Sequence, residues 1–484
     1  MNDTVIIAGG GAAGLLLAAE LGLAGVPAVV LERAAEAPTR SRGMLLHARA
    51  VDALRLRGIA DRFRDADTPI WPRTHFALLW LDLAELGRTD YDLIVPQWRT
   101  AGLLERRATE LGAEVRRGRR VVAVEQDEAG VTVRAETPQG IEELRGAYLV
   151  GCDGENSAVA WLADFPFDVL APAYYGVIGD VAVEDGERDH FLAGVYEGGQ
   201  FGVLPVNPAD PREVRLMTVE FYREPPDPDT PVTAEELRAA IERITGQRPP
   251  SFPEPRWLVR YGGPTRLARD YRRGRILLAG DAAHPHPPSS GNGLVTAVHD
   301  VFNLGWKLAA TVRGQAPRGL LDSYHDERQP VGRRACVRAL AQIPLQHPPE
   351  QAAPLRELFA DLLAIDEVNR YLVQAVTNVR YPPEQAGAHP LLGAPLPDLE
   401  LTGPDGPVGS AALFAAGHAV VLDLGGGLPD LSAWADRLTV AAVAPIPGLD
   451  ARALLARPDG YVAWVDPVGG DHDGLALALK TWIG

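Results

Sequence analysis

Residues 5–32 of the chain read VIIAGGGAAGLLLAAELGLAGVPAVVLE, and this stretch decides the fold. The apolar run Val5–Ala8 predicts a buried strand, and Ala28–Leu31 predicts a second one. Between them, the residues from Ala12 to Ala24 predict a helix. The order strand, helix, strand is typical of an α/β fold with a parallel sheet.

The glycines between the first strand and the helix indicate a nucleotide site. Gly9, Gly11 and Gly14 follow the pattern G-x-G-x-x-G, which allows a tight turn, close approach of a pyrophosphate and close helix packing. Phosphates then rest on the positive N-terminus of the helix. Glu32 ends the second strand where an acid can bind ribose hydroxyls, and we assign Arg33 beside it to the same site. The glycines alone would also fit an ordinary turn, but the register of all four parts favours a dinucleotide site.

Composition and charge exclude several classes of protein. A chain of 484 residues is too long for one ordinary core, so two or three domains are expected. The net charge of −17 argues against nonspecific nucleic-acid binding. Cys152 and Cys336 are the only cysteines and lie far apart, which suits a reducing compartment. We see neither an export signal nor a membrane span, and therefore expect a cytoplasmic protein.

Residues 276–284, ILLAGDAAH, form the second informative stretch. The apolar residues predict a buried strand that delivers the carboxylate of Asp281 and then leads into a helix through small residues. Such a carboxylate can accept hydrogen bonds from a polyol, and the helix N-terminus can face an electron-rich ring. Taken alone, Asp281 would equally fit a capping residue at a strand-to-helix junction.

Motifs along nearly the whole chain carry a resemblance to a known family. They are the glycine motif, Pro96-Gln97, Gly151-Cys152-Asp153-Gly154, Gly280-Asp281-Ala282-Ala283-His284, Asp300-x-x-Asn303-Leu304-x-Trp306-Lys307-Leu308 and Arg457-Pro458-Asp459-Gly460-Tyr461-Val462-Ala463-Trp464. Together they resemble the class A flavoprotein monooxygenases, in particular the aromatic polyketide and rifampicin hydroxylases.

The resemblance implies FAD as the cofactor and a role for each matching residue. Glu32 would bind the adenosine ribose, and Arg42 and Gln97 would contact the diphosphate and ribityl regions. Asp281 would hydrogen-bond the ribityl chain. Asp153 would belong to a segment linked to both FAD and NADPH binding.

The isoalloxazine ring would lie beside Pro288 and the backbone that follows it, including Gly291 and Gly293. In the mechanism that the resemblance implies, NADPH or NADH reduces FAD, and the reduced flavin reacts with O2 to give a C4a-hydroperoxide. One oxygen is then inserted into a bulky aromatic substrate such as a polyketide. The protein orients the substrate and excludes water, so we assign no catalytic side chain.

Two segments depart from the family pattern. After Pro288 the family has Thr-Gly-Gly-Gln-Gly and then Asn and Gly, whereas this chain has Ser289-Ser290-Gly291-Asn292-Gly293 and then Val295 and Ala297. Ala160 stands where a basic residue is usual. Three functions therefore stay open. They are a working monooxygenase, a non-oxygenating cyclase, dehydratase or rearranging enzyme of polyketides with weak, structural or absent FAD, and a pure ligand-binding or assembly protein.

The predicted fold class is α/β, with a Rossmann-like FAD domain, an inserted β-sheet substrate domain and a C-terminal thioredoxin-like α/β domain. The active site is expected where the flavin ring meets the inserted sheet. The substrate does not follow from the sequence, and a homo-oligomer is compatible with it. The predicted boundaries are 1–73, 98–170 and 265–385 for the FAD domain, 74–97 and 171–264 for the substrate domain, and 390–484 for the C-terminal domain.

Two smaller signals also bear on function. His284-Pro285-His286 invites a metal interpretation, but no cysteine nearby completes a tetrahedral set, and we predict no metal site. The C-terminal region contains no cysteine, so dithiol chemistry is excluded there despite the thioredoxin-like pattern.

Overall fold

The computed structural model describes the chain except residues 1–2, 65–67, 84–91, 185–192, 207–209, 211, 228–229, 250, 290, 375–378, 382–388, 405 and 468–471. Within this described part, no helix is long and apolar enough to cross a membrane. Cys152 and Cys336 are both free and buried.

Runs of strands and single helices follow one another along the chain. Through residue 162 they are β1 Val5–Ala8, α1 Ala12–Leu23, β2 Ala28–Glu32, β3 Leu45–Leu46, α2 Ala48–Arg55, β4 Ile70–Trp71, β5 Arg73–Phe76, β6 Leu79–Asp82, β7 Asp92–Ile94, α3 Gln97–Glu110, β8 Glu114–Arg117, β9 Arg120–Gln126, β10 Val131–Thr137, β11 Gly140–Gly146, β12 Tyr148–Gly151 and α4 Ala158–Leu162. The middle holds β13 Phe167–Ala182, β14 Gly194–Tyr196, β15 Gly199–Pro205, β16 Glu213–Phe221, α5 Ala234–Thr245, β17 Trp257–Ala268, β18 Arg272–Arg273 and β19 Ile276–Leu278. The remainder holds α6 Asn292–Val312, α7 Ser323–Ala341, α8 Pro349–Leu363, α9 Asp366–Gln374, β20 Glu400–Gly403, β21 Gly406–Gly409, β22 Ala419–Asp423, β23 Leu438–Ala442, β24 Ala453–Ala456, β25 Val462–Asp466 and α10 Leu475–Trp482.

The first sheet has six strands in the order β18-β19-β12-β1-β2-β8. Its central strand β1 pairs in parallel with β2 on one side and β12 on the other. The four residues of β1 are at most 1% exposed, because α1 and α6 pack over the sheet and exclude water from its apolar run. The strand, helix and strand predicted from residues 5–32 are therefore confirmed.

The second large sheet has five strands in the order β14-β15-β16-β13-β17, paired antiparallel throughout. Helix α5 covers one face and contributes Leu237, Ile241 and Ile244 to a core with the sheet. Thr233 caps α5 by accepting from the backbone N–H of Glu236 at 3.2 Å. Strands β13 and β17 run from Phe167 to Ala268, four residues beyond the expected segment 171–264 at each end.

The hairpin of β5 and β6 lies apart from the five-stranded sheet, although residues 74–97 were expected to join it. Phe76 and Leu81 are buried in a cluster with Leu345, Leu372 and Val373. The hairpin therefore packs on the segment from α7 to α9, since its apolar side chains find their partners there.

The C-terminal region forms a four-stranded sheet in the order β23-β22-β24-β25. Strands β22 and β23 are parallel and the other two pairs are antiparallel. Both faces are covered by buried apolar clusters, one of which includes Leu475 and Leu479 of α10. The predicted fold class is confirmed in its three parts: the Rossmann-like sheet, the inserted sheet and the C-terminal α/β sheet.

Buried ion pairs join the C-terminal region to the first sheet. Arg57 contacts Glu20 of α1 at 2.7 Å and donates to the carbonyl oxygens of Phe414 and Pro458 at 3.2 and 3.0 Å. Both charged side chains are at most 5% exposed. The guanidinium is thus satisfied by atoms of both regions, which fixes one against the other.

A second buried cluster surrounds Glu327 of α7. Its carboxylate contacts Lys307 at 2.8 Å and Arg457 at 2.6 Å, and Arg457 also pairs with Asp459 at 2.6 Å. The amide of Asn303 donates to the same carboxylate at 2.5 Å. The motif residues of α6 and of the C-terminal region therefore meet in one network.

Candidate cofactor and active site

The predicted glycine turn lies between β1 and α1, and Gly11 is its exposed residue. A Cβ on Gly9, where φ is +106°, would lie 2.3 Å from the carbonyl oxygen of Cys152. One on Gly14 would lie 2.0 Å from the carbonyl oxygen of Gly9. A Cβ on Gly11 would meet nothing within 4 Å. Gly9 and Gly14 are thus required by the fold, whereas Gly11 leaves space at the N-terminus of α1 for a ligand.

Glu32 lies at the end of β2 and folds back over this turn. Its carboxylate accepts from the backbone N–H of Gly10 at 2.6 Å and from that of Ala34 at 2.8 Å. Each carboxylate oxygen has two lone pairs, so these bonds leave capacity for ribose hydroxyls. Arg33 is exposed next to it.

Gln97 lies beside Gly43, the residue that follows Arg42. Gln97 begins α3 and donates its backbone N–H to Gly43 at 2.9 Å, and its side-chain oxygen is 3.0 Å from where a Cβ of Gly43 would be. Arg42 pairs with Glu155 at 2.9 Å. Burial lowers the pKa of Arg42, but attraction by Glu155 and by Asp281 more than offsets this and raises it. The guanidinium therefore stays charged beside Asp281.

Asp281 accepts no hydrogen bond from any residue that the structure describes. It lies half-buried in a short 3-10 turn, Gly280–Ala282, at the end of the strand that delivers it. The helix expected directly after it instead begins at Asn292, a correction to the sequence prediction. Pro285, Pro287 and Pro288 explain the delay, since proline removes N–H donors and disfavours helix at the preceding residue.

Asp153 is placed next to the glycine turn, since a Cβ on Gly9 would lie 2.9 Å from its Cα atom. Its carboxylate accepts from the hydroxyl of Ser157 at 2.5 Å and from the N–H of Val159 at 3.1 Å. Burial raises the pKa of Asp153, against these hydrogen bonds. The side chain therefore holds the N-terminus of α4 in place beside the turn.

In the segment after Pro288, the polar side chains of Ser289 and Asn292 form hydrogen bonds within the protein. Pro288 itself is exposed, whereas Ser289 is 5% exposed and accepts from the amide of Asn292 at 3.0 Å. The amide of Gln342 at the end of α7 donates to the same hydroxyl. Gly291 has φ of +76°, which places the N-terminus of α6 immediately after it. Ser290 lies outside the described residues.

The other departures from the family pattern are buried. Val295 is 1% exposed, Ala297 is 6% exposed, and the methyl group of Ala297 lies 3.0 Å from where a Cβ of Gly280 would be. Ala160 is 5% exposed and borders a cleft of about 300 Å³. Trp161, 79% exposed, and Arg266 lie on the same cleft. An arginine at position 160 would extend a cation toward this cleft, which is here walled by aromatic side chains.

The two histidines of the metal interpretation have different surroundings. Nε2 of His284 is 2.7 Å from Asp300, whose other oxygen contacts Arg328 at 2.7 Å. All three side chains are at most 1% exposed. Across the described residues, no group of three or more metal-binding side chains occurs. His284 is therefore held by Asp300, which forms a buried ion pair with Arg328.

Sequence reasoning missed Glu155 and Tyr174 at the junction of the two large sheets, and it considered His286 only as a metal ligand. Glu155, Tyr174 and His286 line a cavity together with Gly262 and Gly263 of β17. Glu155 follows the Asp153-Gly154 motif directly, and that adjacency was the signal available. Tyr174 and His286 come together only through the pairing of β13 with β17 and the path of the loop before α6.

Comparison with known proteins gives matches over nearly the whole length. The profile of a FAD binding domain matches residues 2–339, and that of the C-terminal domain of aromatic-ring hydroxylases matches residues 389–484. The chain is 42% identical to a dialkyldecalin synthase of Streptomyces rugosporus, covering 100% of this chain and 99% of the relative. It is also 42% identical to the 12-dehydrotetracycline 5-monooxygenase/anhydrotetracycline 6-monooxygenase of Streptomyces rimosus, with the same coverage.

A solved structure agrees with these matches. The anhydrotetracycline hydroxylase OxyS from Streptomyces rimosus superposes with a TM-score of 0.91 at 41% identity, covering 99% of each chain. The sequence motifs and the α/β fold agree with this likeness. The chain therefore belongs to the FAD-dependent aromatic-ring hydroxylases.

Proposed function

We propose that this enzyme is an NAD(P)H-dependent monooxygenase that inserts one oxygen atom of O2 into a bulky aromatic substrate of the polyketide type. When bound, FAD supplies the electron transfer and the activation of O2. The protein binds the cofactor, orients the substrate and excludes water.

The described residues fit FAD at several points. Gly11 leaves the N-terminus of α1 open to a diphosphate, and Glu32 retains acceptor capacity for a ribose. Asp281 offers a carboxylate that accepts no hydrogen bond from any described residue, which suits a polyol such as the ribityl chain. Arg42 and Gln97, at the start of α3, border the loop at Gly43, and we assign them to the diphosphate and ribityl regions.

One observation carries the proposal furthest. The hydroxyl of Ser289 and the amide of Asn292 stand where the family pattern has a threonine and a glutamine. They bond to each other, and the amide of Gln342 donates to the same hydroxyl. Their polar groups are thereby satisfied within the protein, and Gly291 and Gly293 match the glycines of the family pattern. Val295 and Ala297, which depart from that pattern, are buried, whereas Ser290 lies outside the described residues. The loop as described therefore supports flavin binding.

An aromatic pair beside the cavity between the two large sheets supports an aromatic substrate. Tyr174 and Tyr261 form an edge-to-face pair with ring centres 6.1 Å apart, and both are at most 5% exposed. Burial raises the pKa of both phenols, so they are neutral at physiological pH. Aromatic side chains of this kind orient an aromatic substrate by shape and quadrupole contacts.

A second function is favoured by one relative. The dialkyldecalin synthase carries a name that describes ring formation, and it is as similar to this chain as the tetracycline monooxygenase. In this alternative the same cavity would hold a polyene for cyclisation, and FAD would serve structure.

The purified protein tests both functions. For the monooxygenase we expect bound FAD in the visible spectrum, NADPH or NADH oxidation that depends on an aromatic polyketide, and 18O from 18O2 in the product. Product formation with unchanged oxygen content and without consumption of reductant would instead establish the cyclase. An FAD-free protein that binds polyketides without converting them would contradict both.

A further inference from the structure

His286 has one ring nitrogen committed to the protein and one that is not. It lies in the loop between Asp281 and α6, where Nδ1 is 2.9 Å from the carbonyl oxygen of Pro287. A carbonyl oxygen only accepts, so Nδ1 carries the hydrogen and donates. In the neutral ring, Nε2 is then a lone-pair acceptor.

This acceptor is buried without a partner among the residues that the structure describes. Nε2 of His286 is inaccessible to solvent and receives no hydrogen bond from any of them. Burial lowers the pKa of His286, despite the Pro287 carbonyl and Asp281, so the ring does not gain a second hydrogen at neutral pH. A buried acceptor of this kind is costly unless something that binds later donates to it.

The position of the ring indicates where that donor would come from. A Cβ on Gly293 would lie 3.9 Å from Cε1 of His286 and 3.5 Å from a carboxylate oxygen of Asp281. The missing side chain of Gly293 thus opens a space that both residues border. On the other side, His286 lines the cavity shared with Tyr174 and Glu155.

The neighbouring histidine is a useful contrast. The ring of His284 stacks on that of His286 with centres 6.5 Å apart, but its Nε2 is held by Asp300. Tyr174 donates to the backbone carbonyl of His286 at 3.4 Å, so its hydroxyl is directed to the main chain and not to the ring. None of these groups supplies the donor that Nε2 lacks.

We propose that Nε2 of His286 accepts a hydrogen bond from a hydroxyl group of a ligand that lies beside Gly293. Two ligands carry such a group: the ribityl chain of FAD and a phenolic substrate. For the first, His286 is a binding residue that acts together with Asp281. For the second, which rests on the proposed function, it positions the phenol by accepting its hydrogen bond, which makes the aromatic ring of the substrate more electron-rich.

Two variants test the proposal by binding alone. H286F removes the acceptor, and H286Q retains one in a side chain of similar length. The dissociation constant of FAD is measured by quenching of flavin fluorescence on titration of the apoprotein. Binding of 1,8-dihydroxyanthraquinone and of anthraquinone to the holoprotein is followed by perturbation of the flavin absorption spectrum.

If the ribityl chain is the donor, H286F weakens FAD binding about tenfold or more and H286Q restores most of it. If a phenol is the donor, FAD binding is unchanged and H286F loses the preference for the dihydroxy compound over anthraquinone. H299F is the matched control, because His299 on α6 also has a buried, unpaired Nε2 and should affect neither ligand.

The proposal is overturned if H286F binds FAD like the wild type and the wild type shows no preference for the hydroxylated anthraquinone. Circular dichroism of each apoprotein establishes that the variants fold, and H286Q keeps the test decisive if H286F does not. A protein that binds FAD through His286 but never incorporates oxygen would contradict the proposed monooxygenase and leave this hydrogen bond standing.

Discussion

At the scale of single residues, the glycines of the first turn separate requirements of the fold from requirements of a ligand. Gly9 has no room for a side chain and a φ that other residues avoid, whereas Gly11 has ordinary backbone angles and open space around it. A methyl group at position 11 therefore meets no protein atom, but it occupies the approach to the N-terminus of α1.

We predict that G11A leaves the melting temperature of the apoprotein within a degree or two and weakens FAD binding about tenfold or more. G9A should instead lower the melting temperature, because its methyl group would have to displace the backbone at Cys152. Thermal unfolding followed by circular dichroism, with FAD titration, checks both. Equal loss of stability in the two variants would contradict this division.

Asp281 provides a second prediction at this scale. Replacement by asparagine removes the charge at nearly constant shape, and hydrogen bonds to charged groups contribute about 1.5–3 kcal/mol. We expect D281N to raise the dissociation constant of FAD about ten- to a hundredfold. D270N, at an exposed aspartate, is the control. An unchanged affinity in D281N would remove Asp281 from the site.

At the scale of elements, the loop before α6 depends on a hydroxyl that is shared by two amides. S289A would leave the buried amides of Asn292 and Gln342 without their acceptor, at a cost of about 1–3 kcal/mol. We expect a lower melting temperature and a loss of the stabilisation that added FAD confers. S323A, at the other end of α7, removes a hydroxyl that donates to Leu320 and should retain that stabilisation.

The sequence predicted elements well where their signal is local. Strand β1, helix α1 and strand β2 follow from hydrophobic periodicity and glycine spacing. The start of α6 was misplaced, because three prolines hold the chain extended after Asp281. The hairpin of β5 and β6 was assigned to the wrong neighbour, since its packing on α8 and α9 depends on residues about 270 positions later.

The candidate site divides in the same way. The glycine turn, Glu32 and Asp281 were found because each sits at a strand end whose pattern is visible in a short window. The pair of Arg42 with Glu155 and the cavity with Tyr174 and His286 depend on contacts between distant segments. Such contacts leave no trace in periodicity, and they became visible only in the folded chain.

At the scale of the whole molecule, Glu327 ties α6, α7 and the C-terminal region together. Burial alone would raise its pKa, but Arg457 and Lys307 lower it to about 2 from an ordinary value of 4.5. Because the folded pKa is the lower one, the stabilisation is complete above about pH 4.5 and is lost as the pH falls toward 2.

We therefore predict that E327Q destabilises the protein at neutral pH, by about 3–5 kcal/mol as for other broken buried pairs. Its stability should also fall less steeply between pH 4.5 and 3 than that of the wild type. Melting temperatures from pH 3 to 8 check both effects. E110Q, which breaks an exposed pair with Arg62, should follow the wild-type curve.

The shared guanidinium of Arg57 has a consequence for engineering chimaeras. Arg57 donates hydrogen bonds to the main-chain carbonyl oxygens of Phe414 and Pro458. A C-terminal region taken from a relative must therefore place two carbonyl oxygens at the same points, whatever its side chains are. Removal of the C-terminal region would leave Arg57 with only the carboxylate of Glu20 as an acceptor. Recombination among these enzymes should accordingly succeed when the backbone of the tail is preserved and fail when loops around those two carbonyls change length.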